Sequence, residues 1–193
     1  MPTIPAPQSP TNPAARSAFA PLSIEDVVAI ARNNREMQLI NPQNADMNGE
    51  MDHLEHLKQS ATWVHTTKRE TEIAAKEGQD PLAYYGFNTG LGDNAGRATF
   101  SRIGDAERLS RNTLLSHAVG VGDYLPEDVV RAALAIRAAN LARGYSGVRV
   151  EVINALIEML NKHVYPAVPA QGSLGASGDV APLAHLLLPM SAP

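Results

Sequence analysis

The sequence contains no cysteine. That excludes a disulfide framework and any thiolate-bound metal, and it leaves the redox compartment open. No apolar stretch is long enough to cross a bilayer, and the N-terminus lacks a basic start followed by an apolar run. A cytoplasmic protein with no membrane partner is expected. Positive charge is not in excess either. The 16 Lys and Arg stand against 20 Asp and Glu, a formal net charge of -4 at pH 7. Such a surface gives no basic field for phosphate backbones, so no nucleic-acid partner is expected. Aromatic residues are few, at 5%. What is present is ordinary for a globular domain, 44% hydrophobic and 19% charged, and 193 residues suffice for one substantial core. A small-molecule substrate suits this composition.

Residues 1–21 carry Pro2, Pro5, Pro7, Pro10, Pro13 and Pro21 among Ser, Thr and Ala, a composition that buries little and favours a disordered, extended tail. Residues 22–193 read as one mainly α unit. Ser23, with Asp26 three residues on, forms an N-cap with an acidic first turn and opens a short helix through Val27, Val28 and Ile30. Met51, Leu54, Leu57, Ala61 and Val64 recur at three- and four-residue spacing and predict a long amphipathic helix over about 46–77, ending before Gly78. A helix from Asp105 through Leu109, Leu114 and His117 stops at Gly120 and Gly122. Pro126, Glu127 and Asp128 begin another, which ends at Arg143 and Gly144. A further helix covers about 149–163, and Pro182 starts the last. There is no convincing alternating strand and no internal repeat. The chain stops at Met190-Ser191-Ala192-Pro193, within one turn of an apolar run, and is read as truncated there.

Two loops break the helical periodicity. The first, Tyr84 to Asn94, holds three glycines close together. The second, Gln171 to Gly178, is too rich in small residues for a helix interior. Within it, Gly178 follows Ser177, so its backbone nitrogen is unhindered, and glycine permits the strained turn that presses that nitrogen onto the Ala176 carbonyl carbon. Ring closure with loss of water, then loss of the Ser177 hydroxyl with its α-proton, leaves a five-membered ring bearing an exocyclic methylidene. That product is an electrophile made from backbone. An isolated Ala-Ser-Gly is more often a flexible loop before a helix.

The longer string from Gly172 to His185, Gly-Ser-Leu-Gly-Ala-Ser-Gly-Asp-Val-Ala-Pro-Leu-Ala-His, closely resembles the signature of the ammonia-lyases and aminomutases that use methylidene-imidazolone, with Val180 where Leu is usual. Tyr85 to Gly92 resembles that family's mobile active-site loop, and Leu141 to Arg149 is similar to its helix-to-helix turn. Together these cover the chain from about residue 25 to its end. The resemblance implies the N-terminal helical domain of the ammonia-lyase fold, with loops carrying the active site. It implies a 4-methylidene-imidazole-5-one cofactor formed autocatalytically from Ala176, Ser177 and Gly178, and non-oxidative elimination of ammonia from an L-α-amino acid. It also implies a homotetramer for the complete protein, each site drawing on several subunits.

By the same resemblance Tyr85 is the base that removes the β-proton, whereas Tyr84 does not match. A phenol is a poor base at neutral pH unless positive charge or hydrogen bonds favour the phenolate, and a loop tyrosine is ordinarily a packing residue with a wet hydroxyl. Ser116-His117 corresponds to the selectivity pair. It looks like the histidine-specific members, where tyrosine-specific members show His-Leu and phenylalanine-specific ones Phe-Leu, so urocanate is the expected product. An imidazole at 117 could exchange a hydrogen bond with a substrate imidazole. The ordinary alternative is a helix histidine satisfied by backbone, and His53, His56, His65, His163 and His185 are given that reading. His53 and His56 share a helical face without a third ligand, so no metal is expected. Asn88, Leu91 and Gly92 are expected to hold the substrate or close the site, although Asp93-Asn94 departs from the usual Gly-Lys continuation. Asp179 is expected to cap the helix near Pro182, whose N-terminus would favour negative charge on the ring.

A phenylalanine or tyrosine ammonia-lyase, or a 2,3-aminomutase, shares all of this except the selectivity pair. Outside enzymes, an inactive truncated fragment or a non-catalytic oligomer subunit is the competing reading. The family's second catalytic tyrosine, its carboxylate-binding arginine and its downstream Asn and Glu have no counterparts in these 193 residues.

Overall fold

The structure, a computed structural model, describes residues 15–40, 47–80, 82–96, 105–175 and 178–191. Its elements in chain order are β1 (Arg16–Ser17), α1 (Ile24–Arg32), β2 (Met37–Gln38), α2 (Met47–Lys76), α3 (Asp105–His117), β3 (Val121–Tyr124), α4 (Glu127–Ala142), α5 (Val150–Asn161), β4 (Pro169–Gln171) and α6 (Val180–Leu187). Short 3-10 turns occupy Gly92–Asn94 and Leu188–Ser191. The mainly α expectation holds, and the helix ends fall within a few residues of their sequence signals.

Helix α1 shows why. The Ser23 hydroxyl accepts from the Asp26 N–H and the Asp26 carboxylate accepts from the Ser23 N–H, each at 3.1 Å, closing a capping box. Arg16 and Arg35 pair with the same carboxylate at 3.1 and 2.7 Å. Burial pushes Asp26 up, but the Ser23 N–H and the two guanidiniums outweigh it and hold the carboxyl below its ordinary value. At the other end of α1, Arg131 reaches from α4 and donates to the Ile30 and Ala31 carbonyls at 2.7 and 2.9 Å.

The core lies among α1, α4 and α5, where Ile30, Leu134, Ile153, Leu156 and Leu160 are buried together with Met37 of β2. Asn161 pins β2 to the end of α5, its amide exchanging two hydrogen bonds with the Met37 backbone at 2.8 and 3.1 Å. Helix α2 has 30 residues, so it runs roughly 45 Å, with most of its surface exposed. It meets the body at buried Leu57 and at the turn between α4 and α5. There a side chain at Gly147 would lie 2.2 Å from Val64, and the Gly147 N–H donates to the Ser60 hydroxyl at 3.2 Å.

Two boundaries differ from the sequence reading. Residues assigned to the tail belong to the body, because Arg16–Ser17 pairs in parallel with Met37–Gln38 and Ser17 and Ala18 are buried. A two-residue strand is too short to show alternation. Residues 1–14 of the expected tail lie outside the described residues. Helix α6 starts at Val180, so Pro182 sits inside its first turn, where a missing N–H breaks no helical bond. Among the described residues no helix is long and apolar enough to cross a membrane.

Candidate active site

The first loop is fastened to α2 by one amide and three rings. Asn88 is buried. Its oxygen accepts from the Tyr84 N–H at 2.7 Å, and its nitrogen donates to the Leu82 carbonyl at 2.8 Å and the Thr71 hydroxyl oxygen at 3.4 Å. Thr71, also buried, donates its own proton to the Thr67 carbonyl at 2.8 Å. Trp63 meets Tyr84 edge-on at 5.4 Å and Phe87 at 6.4 Å. Within the loop, the Thr89 hydroxyl accepts from the Gly86 N–H at 3.1 Å and donates to the Gly90 carbonyl at 2.9 Å.

These contacts leave Tyr85 outward, 70% exposed, with its hydroxyl oxygen accepting from the Gly92 N–H at 3.1 Å. Leu91 is exposed beside Gly86, and Gly92 opens the 3-10 turn. Tyr84, which did not match the family position, is a packing residue. The amide of Asn88 is committed to the loop and to α2.

Ser116 and His117 end α3. The His117 Nδ1 lies 2.6 Å from the Thr113 carbonyl oxygen, which can only accept, so Nδ1 carries the proton. In the neutral ring Nε2 is then a hydrogen-bond acceptor. The Ser116 hydroxyl donates to the same carbonyl at 2.9 Å and stands 3.3 Å from His117 Nδ1.

The second loop is closed at its base. Strands β3 and β4 pair antiparallel, Val121 opposite Gln171 and Tyr124 opposite Pro169, which carries the chain from the end of α3 to the start of the Gly172–Gly178 segment. Gly172, at φ +142°, comes so close to Gly120 that an added Cβ would lie 3.0 Å from the Gly120 Cα. The Gly120 N–H donates to His185 Nε2 at 2.9 Å, tying α6 to the same place, and α3 packs on α6. His185 is thus a backbone-satisfied histidine, as expected of it.

The expected cap by Asp179 is not made. That residue stands at the N-cap of α6 with no side-chain cap bond, because its carboxylate accepts from the Ser173 hydroxyl and closes the loop's neck. Ala176 and Ser177 lie outside the described residues. Gly178 has φ +87° with nothing within 4 Å of an added Cβ.

The structure therefore gathers the Ser116-His117 end of α3 and the flanks of the second loop in one neighbourhood. Tyr85 is carried separately, on the loop docked against α2, which an ion pair between Lys68 and Glu107 joins to α3. The Lys68 ammonium holds the Glu107 carboxyl below its ordinary value. Among the described residues no group of three or more His, Cys, Asp or Glu could hold a metal ion. His53 stacks on Phe19 at 5.6 Å and His56 meets Tyr145 edge-on at 5.2 Å. Trp63, Thr71 and Arg131 were missed by the sequence reading. Trp63 alone left a signal, a large aromatic residue off the apolar stripe of α2.

The chain belongs to the aromatic amino acid lyase family, whose model matches residues 22–192. It is 42% identical over 169 residues to the histidine ammonia-lyase of Caldanaerobacter subterraneus subsp. tengcongensis, covering 88% of this chain and 29% of that protein. It is 50% identical over 114 residues to the histidine ammonia-lyase of Shouchella clausii, covering 57% and 22%. In structure it is similar to the ergothioneine-degrading ergothionase of Treponema denticola, with a TM-score of 0.69 at 28% identity, covering 91% of this chain and 31% of that one. The chain thus spans under a third of the length of each of these relatives.

Proposed function

We propose that the complete protein eliminates ammonia from L-histidine to give urocanate, in the cytoplasm and as a homo-oligomer, with a 4-methylidene-imidazole-5-one formed from Ala176, Ser177 and Gly178. The observation that carries the substrate is the Ser116-His117 pair, with His117 Nδ1 fixed on the Thr113 carbonyl and Nε2 left to accept. An N–H of a substrate imidazole satisfies that acceptor, whereas a phenyl ring leaves it without a donor.

The left-handed backbone at Gly178, the open space beside it and the Ser173–Asp179 neck fit a segment that must turn tightly on itself. The methylidene ring supplies an electrophile that turns the substrate's amine into a better leaving group. Tyr85 takes the β-proton. As that C–H pair becomes the new double bond, the C–N pair departs with the amine. The Gly92 N–H on the phenolic oxygen supports this role, since such a bond strengthens as the oxygen becomes negative. The N-terminus of α6 follows the loop directly and favours negative charge there. Exposed Leu115, Val119, Val121 and Tyr124 beside the site are apolar surface of the kind that further chain or a second copy covers.

The test is to express the complete reading frame, offer L-His, L-Phe and L-Tyr separately, and record released ammonia and the ultraviolet spectrum of each product. Urocanate from histidine alone bears out the reading. Cinnamate or coumarate overturns the substrate assignment, a β-amino acid without ammonia points to an aminomutase, and no change in any of the three points to a non-catalytic oligomer subunit.

A further inference from the structure

Two side chains from the middle of α2 hold the loop that bears Tyr85. Trp63 is the sole tryptophan of the chain. It is half-exposed, at 52%, so the partial cover that it has comes from its neighbours, and two of these are the rings of Tyr84 and Phe87. Those two rings also meet each other edge-on at 6.3 Å. They flank Tyr85-Gly86, so the peptide carrying Tyr85 is bracketed by aromatic side chains lodged against one helix.

Thr71 lies two helical turns further along α2. Its hydroxyl is buried, gives its proton to the Thr67 carbonyl and presents its oxygen to the Asn88 amide. Asn88 in turn fixes the backbone at Tyr84 and Leu82. Losing the Thr71 oxygen leaves a buried amide N–H one acceptor short, which loosens the loop at the residue that sets its shape.

We propose that Trp63 and Thr71 are positioning residues for Tyr85, the tryptophan as a platform for the rings on either side of it and the threonine as the acceptor that orients Asn88. The inference rests on the reading of Tyr85 as the base. Among the described residues, no hydrogen bond or ring contact joins either of the two to the Tyr85 hydroxyl or to the second loop. Their effect is on where the phenolic oxygen stands, and small misplacements of a reacting group lower turnover far more than binding.

The experiment uses the complete reading frame and five variants beside Tyr85→Phe. Thr71→Val removes the hydroxyl at nearly constant shape and Thr71→Ser restores it. Trp63→Leu removes the platform and Trp63→Phe keeps a ring. The expected result is a fall in kcat on the order of tenfold or more for Thr71→Val and Trp63→Leu, with KM within about twofold and recovery in Thr71→Ser and Trp63→Phe. The emission of Trp63, read as the difference between the parent and the Trp63→Phe protein, reports docking independently of turnover, and Tyr84→Leu is expected to shift it. If Trp63→Leu does not fold, Thr71→Val carries the test. Unchanged kcat in the folded Thr71→Val protein, with Tyr85→Phe inactive, overturns the positioning role and leaves the base standing. Full turnover by Tyr85→Phe overturns both. Emission unmoved by Tyr84→Leu overturns the platform.

Discussion

The backbone N–H of Gly120 donates to Nε2 of His185 at 2.9 Å across 65 residues of sequence. That bond joins the exit of α3 to α6, and the Gly172 backbone closes on the same spot. A side chain at position 120 would lie 3.0 Å from the Pro169 Cβ and 3.1 Å from the His185 ring. Gly120→Ala is therefore expected to destabilise the protein by about 1–2 kcal/mol. His185→Leu, which strands the Gly120 N–H, is expected to cost about 1–3 kcal/mol, with His185→Gln recovering part of it. Urea denaturation midpoints check both, and a midpoint for His185→Leu equal to that of the parent contradicts the account.

Arg131 is buried in α4 with its guanidinium 5.1 Å from the centre of the Tyr165 ring, donating to the last carbonyls of α1 and to the Tyr165 hydroxyl. Burial lowers its affinity for the proton, opposed by Glu127, yet an arginine stays charged at neutral pH. Arg131→Met leaves those carbonyls without donors and is expected to destabilise by about 2–4 kcal/mol. Arg131→Lys should recover little, since an ammonium lacks the planar fork that spans two carbonyls. Full recovery by lysine in thermal unfolding argues against this assignment.

The depressed carboxyl of Asp26 sets a pH dependence. A group whose folded value lies below its unfolded one contributes stability above the unfolded value, ~3.9 for Asp, and loses it as pH falls through the lower folded value. Stability should therefore decline with acid below about pH 4, and Asp26→Asn, which keeps an acceptor for the Ser23 N–H but loses both ion pairs, should decline less steeply. Acid titrations of the unfolding midpoint for the two proteins check this, and parallel curves count against it.

His117→Leu is expected to lower kcat/KM for L-histidine by ~100-fold or more while leaving the fold intact, because the Nε2 acceptor is lost and the Thr113 carbonyl lies at a partly exposed helix end. Steady-state kinetics with L-His and L-Phe read the change. Undiminished selectivity for histidine would place the determinant elsewhere.

Much of this was legible beforehand. Ser23 with Asp26, Gly78, Pro126 and Gly144 mark helix ends because capping and chain reversal are local, and the structure puts helix ends within about two residues of them. The short strands were not legible. Val121-Gly122-Asp123-Tyr124 is exposed along its whole length, so no alternation of burial could announce its pairing with Pro169–Gln171. Asp179 misled for a related reason. Its position favoured a helix cap, but Ser173, placed opposite by the fold, takes the carboxylate. At the site, the family resemblance pointed to Tyr85, Ser116 and His117, while the groups that hold them, Thr71 and Thr113, are contacts of tertiary or helical geometry that no spacing rule isolates.

In the proposed mechanism Ala176, Ser177 and Gly178 become an electrophile. The most direct measurement is the mass of the peptide containing them, cut from the complete protein, beside the same peptide from Ser177→Ala. The expected result is a parent peptide lighter than its sequence by two waters and a variant peptide lighter than its own sequence by at most one. A parent peptide at full sequence mass, in a protein that still releases ammonia from histidine, contradicts it.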